Sequence, residues 1–369
     1  MTLSTTVPAT APRAATATTC RATIILINYN SADHLARCLD SLQRDPAIPD
    51  YELIVVDNAS TPDDLRPLAR DHPRLRLINS EENLGFGGAN NLAAQQAAGK
   101  YLAFLNPDTV AEPGWLEALI TALQQDAGAG LATARILLLD DPQYINAAGN
   151  TVHLSGLTLC RGFGRPATQY DQPAVVSAVS GAAFAIRRDL FQQLRGFDDT
   201  YFMYFEDTDL SLRARLAGYR CLYVPQARVH HDYHLRFGPR KTYYEERNRY
   251  LTLLKLFRRR TLLLLLPTLL LAETVTWGFT LLRDRPHWRN KLHAYRNVWR
   301  RRHTLRAARR CVQATRRLSD RALLRDATHR LAFEQTGDGL ASRTAHLLFD
   351  PLFYLQRRLA LALLRGERV

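Results

Sequence analysis

Short apolar runs alternate with helix-like stretches through the first 110 residues, and this alternation constrains the fold more than any other feature of the chain. "ATIILINYN" (22–30) is β-branched and continuous, as a strand buried on both faces requires. "SADHLARCLDSLQR" (31–44) follows, with Leu35, Leu39 and Leu42 at helical spacing and Ser31 placed as an N-cap. "YELIVVDNAS" (51–60), "LRLINS" (75–80) and "YLAFLNPDTV" (101–110) are three more strands. Between the last two, "GFGGANNLAAQQAAG" (85–99) opens on glycines and continues as an Ala-rich helix. The pattern predicts an α/β fold with a mostly parallel sheet and helices on both faces. Further on, "PGWLEALITALQQD" has helical spacing, and residues 140–175 carry scattered Gly and polar residues typical of loops or short strands. "AVVSAVSGAAFAIRR" (174–188) and "RCLYVPQARVHH" (220–231) are expected strands, with a short helix in "DLFQQLRGF" between them.

In such sheets ligands bind beyond the carboxyl ends of the strands. Asn28, Asp57, Asn58, Asn83 and Asp108 collect at those ends. Gly85, Gly87 and Gly88 match neither a Walker A loop nor the G-x-G-x-x-G fingerprint. They allow close backbone approach to a ligand, with Asn90 at the start of the helix, or simply a flexible strand–helix turn. Asp57 can accept from a base imide or a ribose hydroxyl, or cap the turn in "DNASTPDD". Asp108, in "LNPD", is a hard oxygen ligand for a divalent cation. His230 or His231, at another strand end, is a further ligand or a structural histidine.

The stretch "YFMYFEDTDLSLR" (201–213) sets Glu206, Asp207 and Asp209 behind a run of aromatics, at the start of a helix. Acids at a helix N-terminus satisfy the dipole and the unpaired N–H groups. A carboxylate in a dry, aromatic-walled site is also a general base for a hydroxyl.

These motifs, "ILINYN", "IVVDNAS", "NLGFGGANN", "LNPD", "RGFDDTYFMYFEDTDLSLRARLAGY" and "VPQARVHH", occur in the order and spacing of family 2 glycosyltransferases. The sequence resembles that family over roughly residues 20–255, and looks most like its bacterial rhamnosyltransferase-like branch. The resemblance implies a GT-A fold and inverting transfer of a sugar from a nucleotide-sugar. It implies that Asp57 contacts the donor base, with Asn28, Asn58, Asn83, Gly85, Gly87, Asn90 and Asn106 in the nucleotide-sugar pocket. Asp108 and His230 would hold Mg2+ or Mn2+ beside the diphosphate. Asp207 would be the base, and Glu206 and Asp209 would support it or touch the acceptor. Asn106 stands where a strict Asp-x-Asp motif has its first acid, which leaves the metal fewer anionic ligands. Arg247 and Asn248, in "KTYYEERNRYLTLLK", match a stretch that follows the family's catalytic core and are expected near the acceptor or diphosphate.

Charge divides the chain. From Arg236 onward there are 30 Lys/Arg and 10 Asp/Glu, a balance of +20, against 19 and 25 before it, a balance of −6. A basic tail attracts phosphate, in nucleic acid, anionic lipid or a lipid-linked substrate. No nucleic-acid motif accompanies it, and the adjacent "TLLLLLPTLLLAETVTWGFTLL" (261–282) suits lipid better. That stretch is long enough to cross a bilayer, but Glu273 inside it costs about 2.5–3.5 kcal/mol if central. Pro267 interrupts it, and Arg flanks both ends. A helix or broken hairpin lying in the interface fits better than a span or a buried core helix. "HLLFDPLFYLQRRLALALLR" (346–365) suits a second surface helix. Five unclustered Cys argue for a reducing compartment. Residues 1–20 lack the apolar core of a secretory signal and are expected to be a disordered lead-in. The expected organisation is that lead-in, a catalytic domain over 21–255, and a helical, Arg-rich, membrane-associating region over 256–369, in a cytoplasmic protein peripherally attached to the inner face of the cell membrane. The expected acceptor is a lipid-linked glycan or polysaccharide. Two rival readings are a polyprenyl-phosphate sugar synthase and a non-catalytic sugar-nucleotide or nucleic-acid binder.

Overall fold

A computed structural model describes residues 20–46, 51–61, 64–233, 239–332 and 340–367. The expected lead-in, apart from Cys20, lies outside the described residues. The first four strands are β1 (Ala22–Asn28), β2 (Tyr51–Asn58), β3 (Leu75–Ser80) and β4 (Tyr101–Leu105). The helices between them are α1 (Ala32–Gln43), α2 (Arg66–Asp71) and α3 (Gly85–Gln96). All four strands run parallel, in the spatial order β4-β1-β2-β3. Their apolar runs are continuous because both faces are covered. Ile24 and Leu26 pack with Leu35 and Leu39 of α1, whereas Ile25 between them packs with Ala89 and Ala93 of α3. β2 and β4 divide in the same way. The chain moves outward from β1 to β3 and then returns to place β4 on the other side of β1. The carboxyl ends of β1 and β4 therefore flank a topological switch point.

The strand expected over 101–110 is two strands. Pro107 interrupts the ladder, β4 stops at Leu105, and β5 (Thr109–Ala111) pairs with β12 (Arg220–His231) instead. α4 (Trp115–Gln125), β6 (Ala129–Leu138), β7 (Ile145–Ala147), β8 (Asn150–Val152) and β9 (Thr158–Cys160) come next. β10 (Ala174–Val176) and β11 (Ala183–Arg187) share what was expected to be one strand. They lead to α5 (Arg188–Gln193) and α6 (Glu206–Leu216). β11 runs antiparallel between β4 and β6, while β12 runs parallel to β6.

The remaining helices are α7 (Pro239–Leu256), α8 (Arg259–Leu264), α9 (Leu266–Arg283), α10 (Arg289–Arg300), α11 (Arg302–Ala314), α12 (Asp320–Asp326) and α13 (Leu340–Leu363). The apolar stretch 261–282 breaks at Leu265, with Pro267 in the first turn of α9. Among the described residues no helix is long and apolar enough to cross a membrane. Glu273 does not face lipid. It accepts from Arg249, Tyr250 and Tyr295, and Lys291 lies 3.3 Å away. This network joins α7, α9 and α10. Burial would push the Glu273 carboxyl up, but Arg249 and Lys291 more than offset it and hold the group at about 2.

Part of the basic excess is therefore internal. Arg249, Lys255 and Lys291 are among the largest fully buried side chains. Arg309 and Arg316 donate to carbonyls at the end of α7. The helical region is also clamped onto the sheet. Thr328 N–H donates to Val152 at 2.9 Å, Leu154 N–H donates to Thr328 at 3.1 Å, and Arg215 pairs with Asp326.

Candidate active site

The β1 and β2 ends form the first wall. Asn28 is fully buried, and its Nδ2 donates to Ser60 Oγ at 3.0 Å while its Oδ1 accepts from Ser31 at 3.0 Å. Asp57 is partly exposed, and its Oδ1 accepts the Ser60 N–H at 3.2 Å. One oxygen caps the turn while the side chain stays partly exposed, so capping leaves room for a ligand contact. The turn is tight, with Asn30 and Ala59 both at positive φ. Asn30 Oδ1 accepts the Thr61 N–H at 2.7 Å.

The second wall is the opening of α3. Asn58 Oδ1 accepts the Leu84 N–H at 2.9 Å, and its Nδ2 donates to Asn83 Oδ1 at 3.1 Å and to the Gly85 carbonyl at 3.3 Å. Asn83 Oδ1 also accepts the Gly85 N–H at 2.9 Å. Gly85 has φ +70°, and a Cβ there would lie 2.2 Å from the Phe202 carbonyl oxygen. The close approach is thus to the chain before α6, sealed by Phe86 N–H donating to that carbonyl at 2.7 Å. At Gly87 a Cβ would meet Phe197 at 3.2 Å and the Glu206 side chain at 3.6 Å. Asn90 is buried, with its amide on the Phe86 carbonyl at 2.9 Å. The side chains of Asn28, Asn58 and Asn90, expected in the nucleotide-sugar pocket, are thus engaged with the protein's own groups. Asp57, Asn83 and Asn106 keep partly exposed side chains.

Asp108 lies past β4, facing the end of β12. β12 is extended, so successive side chains point to opposite faces. This separates the two candidate histidines, and His230, expected beside Asp108, turns away from it. His230 Nε2 turns to Glu112 Oε1 at 2.8 Å. His231 Nε2 lies 3.2 Å from Asp108 Oδ1. His231 Nδ1 is 3.0 Å from Asn146 Oδ1, an atom that only accepts, so Nδ1 carries the proton. In neutral His231, Nε2 then presents a lone pair toward a carboxylate oxygen. That oxygen, Asp108 Oδ1, is buried and has no hydrogen-bond partner. Two acceptors turned toward each other, with an amide fixing the tautomer behind them, fit a divalent cation. Without a cation the same two groups are an ion pair: burial pushes the Asp108 carboxyl up, but an imidazolium at His231 more than offsets this and leaves it below its ordinary value. Among the described residues no group of three or more His, Cys, Asp or Glu converges on a cation site. The protein would therefore supply few ligands, as a cation that also takes substrate phosphate oxygens requires.

The third wall is the start of α6. Phe202, Tyr204 and Phe205 all have positive φ, a strained arrangement for bulky residues. Arg247 and Asn248, expected near the substrate, are buried and hold this strain in place. Asn248 Nδ2 lies 3.2, 2.9 and 2.8 Å from the carbonyls of Tyr201, Met203 and Tyr204. Arg247 donates to the carbonyls of Thr200 at 2.9 Å and Tyr201 at 2.6 Å. Asp209 is fully buried, pairing with Arg213 at 2.7 Å and Lys255 at 2.7 Å, and accepting from Tyr201 at 3.2 Å. It supports the helix and does not reach an acceptor. Lys255 also pairs with Asp198 at 2.6 Å. Burial raises the Asp198 carboxyl, yet Lys255 brings it down to about 2.

Glu206 and Asp207 differ. Glu206 is buried with Oε1 unpartnered, and burial pushes it up to about 8. Asp207 is partly exposed. Its Oδ2 accepts from Gly181 N–H at 2.8 Å and Asn150 Nδ2 at 3.3 Å, and its Oδ1 accepts from Thr208 N–H at 2.6 Å. Burial still leaves the Asp207 carboxyl above its ordinary value despite these donors. One residue beyond Gly181, the Ala182 carbonyl accepts the Asn106 N–H at 2.9 Å. The carboxylate on α6 and the acid past β4 therefore border one site. Gly181 and Asn150 gave no signal in the sequence, because they reach Asp207 from 26 and 57 residues away.

Residues 23–195 match Glycosyl transferase family 2. The N-acetylglucosaminyl-diphospho-decaprenol L-rhamnosyltransferase of Mycobacterium tuberculosis is 31% identical over 234 residues, covering 57% of this chain and 76% of that protein. Rhamnosyltransferase WbbL of Escherichia coli is 27% identical over 227 residues, covering 57% and 83%. Among solved structures, S. aureus TarS 1–349 aligns with 93% of this chain and 88% of its own at a TM-score of 0.53 and 17% identity. GalNAc-T7 aligns over 63% and 48% at a TM-score of 0.54 and 19% identity. These two likenesses concern the fold. The chain belongs to glycosyl transferase family 2, in its rhamnosyltransferase-like branch.

Proposed function

We propose that this glycosyltransferase moves rhamnose, or a similar deoxyhexose, from its nucleotide-sugar to a hydroxyl of a lipid-linked glycan, with inversion. The observation that carries the reading is the junction at Gly181–Ala182. Gly181 holds Asp207, and Ala182 holds Asn106 two residues before Asp108. Two hydrogen bonds on adjacent residues thus tie the proposed proton acceptor to the strand end proposed to hold the diphosphate. The sugar is inferred from the two rhamnosyltransferase relatives, and the lipid-linked acceptor from the Mycobacterium tuberculosis relative alone.

Asp57 binds the donor base through the oxygen that does not cap the turn, and Asn83 and Asn106 border the same pocket. Asp108 and His231 would hold Mg2+ or Mn2+, which when bound neutralises charge on the departing diphosphate. Asp207 takes the proton of the acceptor hydroxyl as its oxygen bonds to the anomeric carbon. The bond to the diphosphate breaks, and its electron pair leaves with the diphosphate. Direct displacement needs no enzyme nucleophile, and no Ser–His or Cys–His pair is invoked. The raised Asp207 carboxyl is the stronger base for it. Asn150 and Gly181 orient that carboxyl. Residues 21–255 form the catalytic part in this reading, and residues 256–369 serve attachment to the inner face of the membrane.

The test is transfer by purified protein from a panel of nucleotide-sugars to membrane lipid extract, with and without Mg2+ or Mn2+. One donor should turn over in a metal-dependent way. Asp207→Asn should lose about 10²–10⁴-fold in turnover while still binding that donor. Unchanged turnover in Asp207→Asn removes it as the base. Transfer only to free polyprenyl phosphate would replace the glycan acceptor with a lipid phosphate.

A further inference from the structure

α13 carries an apolar stripe that the described residues leave uncovered. Leu348, Leu352, Leu355, Leu359 and Leu363 recur at the helical period and are 46–64% exposed. The adjacent face, Phe349, Phe353, Ala360 and Leu364, packs inward against α9 and its surroundings. A soluble surface rarely leaves so regular a run of leucines bare. Its charge is one-sided. Arg358 and Arg365 are exposed, with the Arg358 guanidinium 5.9 Å from the exposed Tyr354 ring. The nearby acids are turned away. Asp350 pairs with His346 at 3.0 Å and lies 3.8 Å from Arg330, and Glu367 pairs with Arg258 at 3.3 Å.

We propose that α13 lies flat in the surface of an anionic bilayer, with this leucine stripe in the acyl boundary and Arg358 and Arg365 at the headgroups. A leucine stripe flanked by Arg and an interfacial Tyr, with no exposed acid on the described part of the helix, fits an anionic lipid surface. Its purpose rests on the proposed lipid-linked acceptor. The inner face of α13 is joined to the site by the β8–β9 hairpin. Leu157 and Leu159 pack with Phe353, and the His153 ring is 4.5 Å from the Phe353 ring. Asn150, at the base of the same hairpin, touches Asp207. A bilayer under α13 is thereby fixed in position relative to the base.

The experiment uses the full chain and vesicles of phosphatidylcholine, alone or with about one-third phosphatidylglycerol. The protein should sediment with the anionic vesicles and be released by salt. The combined Leu352→Ser, Leu355→Ser and Leu359→Ser variant should lose about tenfold or more in partitioning. Leu355→Trp, a variant that removes little packing, should shift its emission to the blue on those vesicles. No blue shift, or no vesicle binding by the parent chain, overturns the proposal. So does a parent dimer that the serine variant converts to monomer with vesicle binding unaltered, which would make a second copy the occupant. Transfer to a short, water-soluble acceptor analogue should be the same in parent and serine variant. Absence of that transfer in both would count against the catalytic reading and leave the vesicle result standing.

Discussion

Replacing Asn248 by Ala tests the idea that α7 holds the catalytic turn in a strained shape. The Asn248 amide is fully buried and lies 2.8–3.2 Å from three backbone carbonyls of residues 201–204. Its two N–H groups share those three acceptors. Removing them forfeits about two hydrogen bonds, to the partly exposed Met203 and Tyr204 carbonyls and to a Tyr201 carbonyl that keeps Arg247, together about 1–3 kcal/mol. Phe202, Tyr204 and Phe205 sit at positive φ, and each such residue stores about 1–3 kcal/mol. Without the clamp the turn relaxes, and Glu206 and Asp207 leave their positions at the head of α6. Urea unfolding should show a lower midpoint with an unchanged slope. Single-turnover transfer should be slower by about tenfold or more, and donor affinity should fall by less, because the Asp57 wall is built from other strands and only the Gly85 turn rests on Phe202. Asn248→Leu, which keeps the volume but not the donors, should behave like Asn248→Ala. A leucine variant with parental midpoint and rate would show that packing, not hydrogen bonding, sets the turn, and would refute the reasoning.

Two further outcomes follow from the same geometry. His231→Ala should weaken Mg2+- or Mn2+-dependent donor binding by about 100-fold in calorimetric titration, whereas His230→Ala should change it about twofold or less; the reverse ranking would return the ligand role to His230. Glu206 has a folded pKa of about 8 against an ordinary 4.5, so its contribution to stability is full below about 4.5 and is lost as pH rises through 8. Glu206→Gln should therefore gain stability relative to the parent across that window in thermal melts, and parallel curves would show that burial does not raise this group.

The sequence by itself determined the α/β layering, because continuous β-branched runs ending in polar residues have one efficient burial, a parallel sheet covered on both faces. It also marked Asp57, Asp108 and Asp207 as candidates, since each stands at an element boundary where local pattern singles it out. Three things were decided only by tertiary structure. Which of two adjacent histidines faces Asp108 depends on the pairing of β12 with β5, and a one-residue change of phase in a strand reverses every side chain. Glu273 counted only as an obstacle to a membrane span until α7 and α10 supplied Arg249 and Lys291, cations 24 and 18 residues away in sequence. Arg247 and Asn248 looked like ligands because they are polar and follow the catalytic stretch, yet their partners are backbone carbonyls that only the folded turn presents. Local periodicity records which face of an element is buried. It carries no record of what another element brings to that face.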